Sequence, residues 1–410
     1  MMLDNGNDYK APEVFSRWRT VALGVGGIFS LIILIAALVG SNAQKEQALR
    51  SWLLGFIFWG GIGIGSLGIL ILQYLFRGAW SIVVRRIVEA GSRTLPVILI
   101  LFLPLLAGVN YLYEWTLPEM QNDPVVQYRG WYLTATGWGL RALLYFALWG
   151  VMAFLLNKWG ANQDKAKDYD ESAKWLGTAT AFCGPTMVFF VLVVTFASID
   201  WVMSLDPHWF STIWGLLYVV GWALSAFCFV VVILASISGE APMNRILGKK
   251  HFHDIGKLML ALVMVCAYFN FSQYLIIWSG NLPEETVWYL KRYKGVWGWV
   301  SVILIFCHFA FPFLVLLSRD LKRNSKWLAR VAIFILVLRL VDYFFMIGPS
   351  PRVYGKGAEW AYHVSWMDIA APIAVGGIWL WAFFGQIQKR PIVPFNDPFL
   401  ESAIEHGKGH

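Results

Sequence analysis

The sequence predicts an all-α, polytopic membrane protein of ten transmembrane helices. Three observations predict it. Of the 410 residues, 58% are hydrophobic and only 14% are charged, against about 45–50% and about 25% in soluble domains. That composition excludes an ordinary soluble enzyme, a disordered chain and a nucleic-acid binder. Ten apolar runs each approach the roughly 20 residues that cross a 30 Å hydrocarbon core as helix. Finally, lysines and arginines alternate between the two sides that ten spans would define. The terminal segments and every second loop, with Lys257 at the head of the seventh run, carry 22 of the 33, and the remaining loops carry 8. Basic residues stay on the cytoplasmic side, so both termini are expected there. The net charge of +8 then reflects loop bias rather than an acidic partner.

The runs fall at 21–40, 52–76, 94–113, 138–156, 176–200, 212–236, 255–278, 296–317, 327–347 and 365–386. About twenty residues precede the first, among them Asp4, Asp8 and Glu13. It is longer than a signal-peptide core of roughly 7–15 residues, so it is expected to stay as an anchor. In the second run, Gly63-Ile64-Gly65-Ser66-Leu67-Gly68 spells a dinucleotide fingerprint. That loop must follow a strand and open a helix. Inside an apolar span, the glycines instead predict close helix packing, with Gly61 and Gly65 at GxxxG spacing.

Segment 77–89 sets Arg77, Arg85, Arg86 and Glu89 among Trp80, Ile82, Val83, Val84, Ile87 and Val88. It reads as a short amphipathic helix on the membrane surface. The longest loop, 114–137, is too short for a soluble domain. The chain therefore divides into a cytoplasmic N-terminus (1–20), a ten-helix domain (21–386) and a polar cytoplasmic tail (387–410). The tail, with Pro391, Pro394 and Pro398, is expected to lie on a partner or to move freely. Trp18, Trp52, Trp138, Trp159, Trp175, Trp201, Trp278, Trp327 and Trp366 sit near span ends, as in an interfacial aromatic belt.

Cys183, Cys228, Cys266 and Cys307 lie singly in apolar runs, without zinc or disulfide spacing. Among the histidines only His308 is mid-span, whereas a membrane haem needs ligands facing each other from spans. No CxxCH motif is present either. The chain is thus expected to carry no metal or cofactor of its own, and no nucleophilic triad is argued.

Ionisable groups inside spans are costly and mark functional candidates. Glu114 ends the third run, Arg141 lies in the fourth, and Asp200 closes the fifth. Arg339 and Asp342 stand three residues apart in the ninth. His363 and Asp368 open the tenth, and Asp254 and Lys257 open the seventh. Further along the seventh run, Lys257, Tyr268 and Ser272 share one helical stripe, while Asn270, Gln273 and Tyr274 face another side. Two readings stand. These groups form caps, ion pairs and interhelical hydrogen bonds. Alternatively Asp200, Asp254, Lys257, Tyr268, Ser272, His308, Arg339, Asp342 and Asp368 contribute to a proton path, with His308 as a relay.

Several blocks carry a resemblance. They are Ser198-Ile199-Asp200-Trp201-Val202-Met203-Ser204-Leu205 with Pro207-His208-Trp209; His253-Asp254-Ile255-Gly256-Lys257; Tyr268-Phe269-Asn270-Phe271-Ser272-Gln273-Tyr274-Leu275; Asn281-Leu282-Pro283-Glu284-Glu285; and Pro394-Phe395-Asn396-Asp397-Pro398-Phe399-Leu400-Glu401. Over nearly its whole length the chain resembles the F subunits (ActF) of bacterial alternative complex III, a branch of the NrfD/PsrC-like membrane proteins. The resemblance implies ten spans arranged as two four-helix bundles, spans 2–5 and 6–9, with two peripheral helices. It implies a bacterial inner-membrane complex that oxidises quinol and passes electrons to cytochrome c or a terminal oxidase. Haem c and iron–sulfur clusters are expected in partners: multihaem cytochromes, an iron–sulfur protein and an ActC-like sister subunit. Membrane lipids surround the chain, and no nucleic acid is involved. For F subunits the family suggests polar proton half-channels; no quinol pocket maps residue by residue. A stand-alone secondary transporter and a purely structural scaffold are the competing classes. A transporter would show paired broken helices in the two halves, and the Gly-rich stretch here is confined to the second run.

Overall fold

The computed structural model of the chain describes residues 9–354 and 364–408. The described residues contain helices and no strand. The main elements are α1 (Val14–Val39), α2 (Asn42–Phe76), α3 (Ala79–Ser92), α4 (Leu95–Ala107), α5 (Ala135–Asp164) and α6 (Tyr169–Trp201). They continue as α7 (Trp214–Ile237), α8 (Lys249–Gly280), α9 (Pro283–Tyr293), α10 (Val296–Leu317), α11 (Ser325–Ile347), α12 (Met367–Ile387) and α13 (Leu400–Lys408). In a hydrocarbon solvent every backbone group must be satisfied within its own segment, which is why these apolar runs are helical.

Among the described residues, eight helices are long and apolar enough to cross a membrane, and the α3–α4 pair, bent by 41°, supplies a ninth. The tenth expected run is α11, a 23-residue helix. Lys326, Arg330, Arg339 and Asp342 lie along it.

The packing follows the two-bundle pattern. Helices α2, α3–α4, α5 and α6 pack together, as do α7, α8, α10 and α11. The two groups meet where α2 and α6 pack on α7. Helices α1 and α12 pair with each other, and α12 lies against α2. The apolar window of α2 is 94% buried inside the protein, whereas that of α1 is 17% buried. Val21, Ile28, Leu31, Leu34 and Leu38 of α1 face outward, as expected for a lipid-facing helix.

The glycines of α2 do what helix packing requires. A Cβ at Gly65 would lie 2.3 Å from the Trp222 carbonyl oxygen of α7, and one at Gly61 would lie 2.3 Å from the Trp222 ring. Gly63 and Gly68 leave room for Ile98 and the Phe190 ring. The fingerprint-like run is thus a groove on a buried helix.

Two expectations are corrected. Segment 77–89 does not lie on the membrane surface. Its helix, α3, is buried from Ser81 to Ser92 beneath the tail and the neighbouring helix ends. Its charges are matched inside the protein. Arg85 donates to Asp397 at 2.8 Å, to Glu89 at 3.0 Å, to Gln163 at 2.6 Å and to the Tyr74 hydroxyl at 2.7 Å. Arg86 pairs with Glu89 at 2.7 Å and with Asp164. The tail, likewise, is not free but packs on the chain's own helices. The Ile392 N–H donates to the Tyr9 carbonyl at 2.8 Å, which brings both terminal segments to one end. Asn396 donates to the Asp164 carbonyl at 2.9 Å, and α13 seats Leu400, Ala403 and Gly407 against the protein.

The tryptophans split. Trp278, Trp327 and Trp366 are exposed as a belt requires, but Trp52, Trp138 and Trp201 are buried. Trp52 donates to the Leu101 carbonyl and Trp138 to the Asp200 carbonyl, each at 2.8 Å.

Candidate functional site

The structure divides the candidate residues into groups with different surroundings. Consecutive spans alternate in direction, so the ends of α1, α5, α7, α10 and α12 can be assigned to the end holding the termini or to the far end.

At the far end, Asp200 terminates α6 and is fully buried. Arg141 grips it from α5, with Nε donating to Oδ2 at 2.8 Å and Nη2 to Oδ1 at 3.0 Å. The Tyr145 hydroxyl adds a third donor at 2.6 Å. Arg141 also donates to the Tyr132 carbonyl at 2.8 Å and stacks over the Tyr132 ring at 3.7 Å. Every oxygen of the carboxylate is engaged, which is the condition for holding a buried charge.

Asp368 opens α12 and accepts from Gln47 at 2.9 Å, Ser51 at 2.6 Å and the Ser365 N–H at 2.9 Å. Beside it, Arg50 donates to Glu46 at 3.0 Å and to the Ser350 and Pro351 carbonyls. Glu46 in turn accepts from the Val353 and Tyr354 N–H groups at 3.1 and 2.8 Å. This ties segment 350–354 to α2. His363 lies outside the described residues. The pair Glu46–Arg50 escaped the sequence reading because it falls in a charged linker before an apolar run; its i,i+4 spacing was the available signal.

Two further far-end contacts bind loops. His208 Nε2 lies 3.0 Å from Asp123 Oδ2, and Lys291 donates to Asp206 at 3.1 Å. The His208 contact, joined by the Val125 and Val126 N–H groups, holds the Asp123 carboxyl below the usual carboxylate range. Arg292 of α9 is buried and donates to the Phe345 and Met346 carbonyls at 3.1 and 2.9 Å. It thereby caps the C-terminus of α11, where a cation is favoured.

At the termini end, Asp254 accepts from Lys257 at 3.4 Å and lies 2.8 Å from His406 Nε2 of α13. His251 Nε2 meets the Ala403 carbonyl at 2.9 Å. These groups fasten the tail to α8. Farther along α8, Tyr268 is 64% exposed and Lys257 is exposed. The expected stripe of Lys257, Tyr268 and Ser272 therefore looks outward, and it does not lead inward to His308. Gln273, on the other side, accepts from Ser211 at 3.1 Å. Asn270 donates back to the Cys266 carbonyl at 2.9 Å, as a polar side chain in a membrane helix does.

The remaining candidates, His308, Arg339 and Asp342, are buried in the second bundle. Arg339 of α11 is buried and donates to Asp342 at 2.5 Å. Its guanidinium lies over the Tyr343 ring at 4.4 Å. Gly221 of α7 makes room for it, since a Cβ there would stand 2.1 Å from Arg339 Nη2. The Tyr343 ring stacks on Tyr218 at 5.8 Å, and Tyr218 meets Trp222 edge-on at 5.7 Å. His308 is buried in α10 at a break in the helical register. Residues Leu304–Ala310 form a π-turn between two α-helical pieces. Pro312 has no N–H for the carbonyl four residues back, that of His308, so the helix must rearrange there. Such turns are common at functional positions.

The bundle interior is polar and under-satisfied. His308 Nε2, Arg339 Nε and the Tyr218 hydroxyl are buried without a hydrogen-bond partner among the described residues, and the Tyr343 hydroxyl has the Arg339 guanidinium beside it. Buried polar groups normally have partners. These groups leave hydrogen-bonding capacity unused near the Arg339–Asp342 pair. Among the described residues, no three His, Cys, Asp or Glu side chains come together as metal ligands. Comparison with family models and with curated proteins finds no match for this chain.

Proposed function

We propose that the chain is a metal-free integral subunit of a quinol-oxidising respiratory complex in a bacterial inner membrane, and that its second bundle carries a proton-conducting half-channel. The one observation that carries the channel reading is the buried Arg339–Asp342 pair in the same bundle as the buried, unpartnered His308 Nε2 and Tyr218 hydroxyl. A titratable imidazole, a carboxylate and hydroxyls in one bundle supply the donors and acceptors that proton transfer needs. The π-turn that holds His308 shifts its side chain off the regular helix register. The respiratory setting rests on the sequence resemblance; haem c and iron–sulfur clusters then belong to partner subunits, beside an ActC-like sister chain.

Asp200, Asp368 and Asp254 sit outside this path, because their oxygens already hold helix ends, loops or the tail in place. The experiment is made in the assembled complex. His308→Gln and, separately, Tyr343→Phe are expected to leave quinol turnover in place while lowering the membrane potential built per electron. Unchanged potential in both variants overturns the channel. Purification in mild detergent without multihaem cytochromes and an iron–sulfur protein overturns the respiratory assignment.

A further inference from the structure

A second polar feature lies at the termini end, away from the bundle core. There a cavity of about 640 Å³ opens between the end of α7, the start of α8 and the link from α10 to α11. Three cations line it from three separate segments: Lys249 at the first turn of α8, Arg323 in the link and Lys326 at the first turn of α11. One carboxylate, Asp320, lines it too. The three cations take part in no ion pair among the described residues, whereas Lys257, Arg85, Arg86 and Arg339 are all matched. The cavity is therefore a site of net positive charge, and three cations against one carboxylate favour an anion.

Its depth and floor narrow the choice of anion. Lys249 and Lys326 begin two spans, so the mouth sits at the membrane–water boundary. Leu247 and Phe252 form an apolar part of the wall. Trp327 next to Lys326 is exposed, with the Arg330 guanidinium 4.4 Å above its ring, as at a headgroup level. The N–H groups of the first turn of α11 are taken by the Asn324 side chain at 3.1 and 3.2 Å. The side-chain cations, rather than that helix end, would do the binding.

We propose that this cavity binds the phosphate of an anionic phospholipid from the leaflet at the termini end. Lys249, Arg323 and Lys326 surround the phosphate, and the acyl chains leave along the apolar wall toward the lipid. Basic pockets between membrane helices on the cytoplasmic side bind phospholipid headgroups in this way.

The test uses the full-length protein and native mass spectrometry with added phosphatidylglycerol, phosphatidylcholine or inorganic phosphate. Wild type should retain phosphatidylglycerol and not phosphatidylcholine, and inorganic phosphate in excess should not displace the lipid. The triple variant Lys249→Gln/Arg323→Gln/Lys326→Gln should weaken retention by about a hundredfold, from roughly a factor of five per cation. Asp320→Asn is a separate variant that removes the opposing charge, and it should strengthen retention whether or not the triple variant folds. Equal retention in wild type and all variants overturns the site. Displacement by inorganic phosphate overturns the lipid assignment in favour of a free anion.

Discussion

Arg141 reaches from α5 to both carboxylate oxygens of Asp200 at the end of α6, at 2.8 and 3.0 Å. The fork locks the far ends of two adjacent spans, and Tyr145 closes it. Asp200→Asn leaves the Arg141 charge without its partner in a mostly buried place. The expected loss is about 3 kcal/mol of stability, read as a lowered unfolding midpoint in detergent. Proton coupling per electron in the surviving assembled complex should not change.

Tyr268 makes the opposite case. Its side chain looks away from the bundle, so Tyr268→Phe should alter stability by no more than about 0.5 kcal/mol. Thermal unfolding checks the first point, and potential per electron, expected to be unchanged, checks its absence from the path.

Gly221 and Gly150 form a matched pair. A methyl at Gly221 collides with the buried Arg339 guanidinium, while nothing lies within 4 Å of a Cβ at Gly150. Gly221→Ala should cost about 2 kcal/mol and disturb the Arg339–Asp342 contact. Gly150→Ala should be neutral within about 0.5 kcal/mol. Equal midpoints for the two variants would mean that α7 and α11 are not so closely packed.

Asp397 holds the tail to α3 through Arg85. Arg85 keeps Glu89, Gln163 and Tyr74 when Asp397 is lost, so Asp397→Ala should cost about 2 kcal/mol, less than a fully stripped buried charge. Hydrogen exchange should rise in the tail and in α3 and stay level in α12.

The Asp123–His208 contact sets a pH limit on the far-end loops. The folded carboxyl lies below its ordinary value, so its contribution is complete above pH ~4, the unfolded value. It is lost as pH falls through the lowered folded value. The protection factors of the Val125 and Val126 amides, with the intrinsic pH dependence of exchange divided out, should therefore be flat above about pH 5 and fall only at lower pH. Asp123→Asn should remove that acid dependence.

The spans were legible because crossing a bilayer is a demand on local length and apolarity, which any run of twenty residues either meets or fails. The partners of the charges were not, because they are set by contacts far apart in sequence. Arg85 meets Asp397 across 312 positions, and Ser51 meets Asp368 across 317. Segment 77–89 has the amphipathic pattern of a surface helix, and the tail together with the ends of α2 and α5 encloses its arginines. Ser272 and Tyr268 share a stripe with Lys257 as expected, yet which way the stripe faces depends on how α8 rotates against α7. The pair Arg339–Asp342 was readable from its spacing. The π-turn at His308 was not, although Pro312 offered a hint.

The enclosure of α2 also bears on biogenesis. Its grooves at Gly61, Gly63, Gly65 and Gly68 are filled by Trp222, Ile98, Trp379 and Phe190, all of which are translated after it. On leaving the insertion machinery, α2 must first stand in lipid with those notches open, and it reaches its final surroundings only when α12, near the end of the chain, arrives. Membrane helices insert first and associate afterwards. For this protein, the helix at the centre is among the first to be inserted and the last to be enclosed.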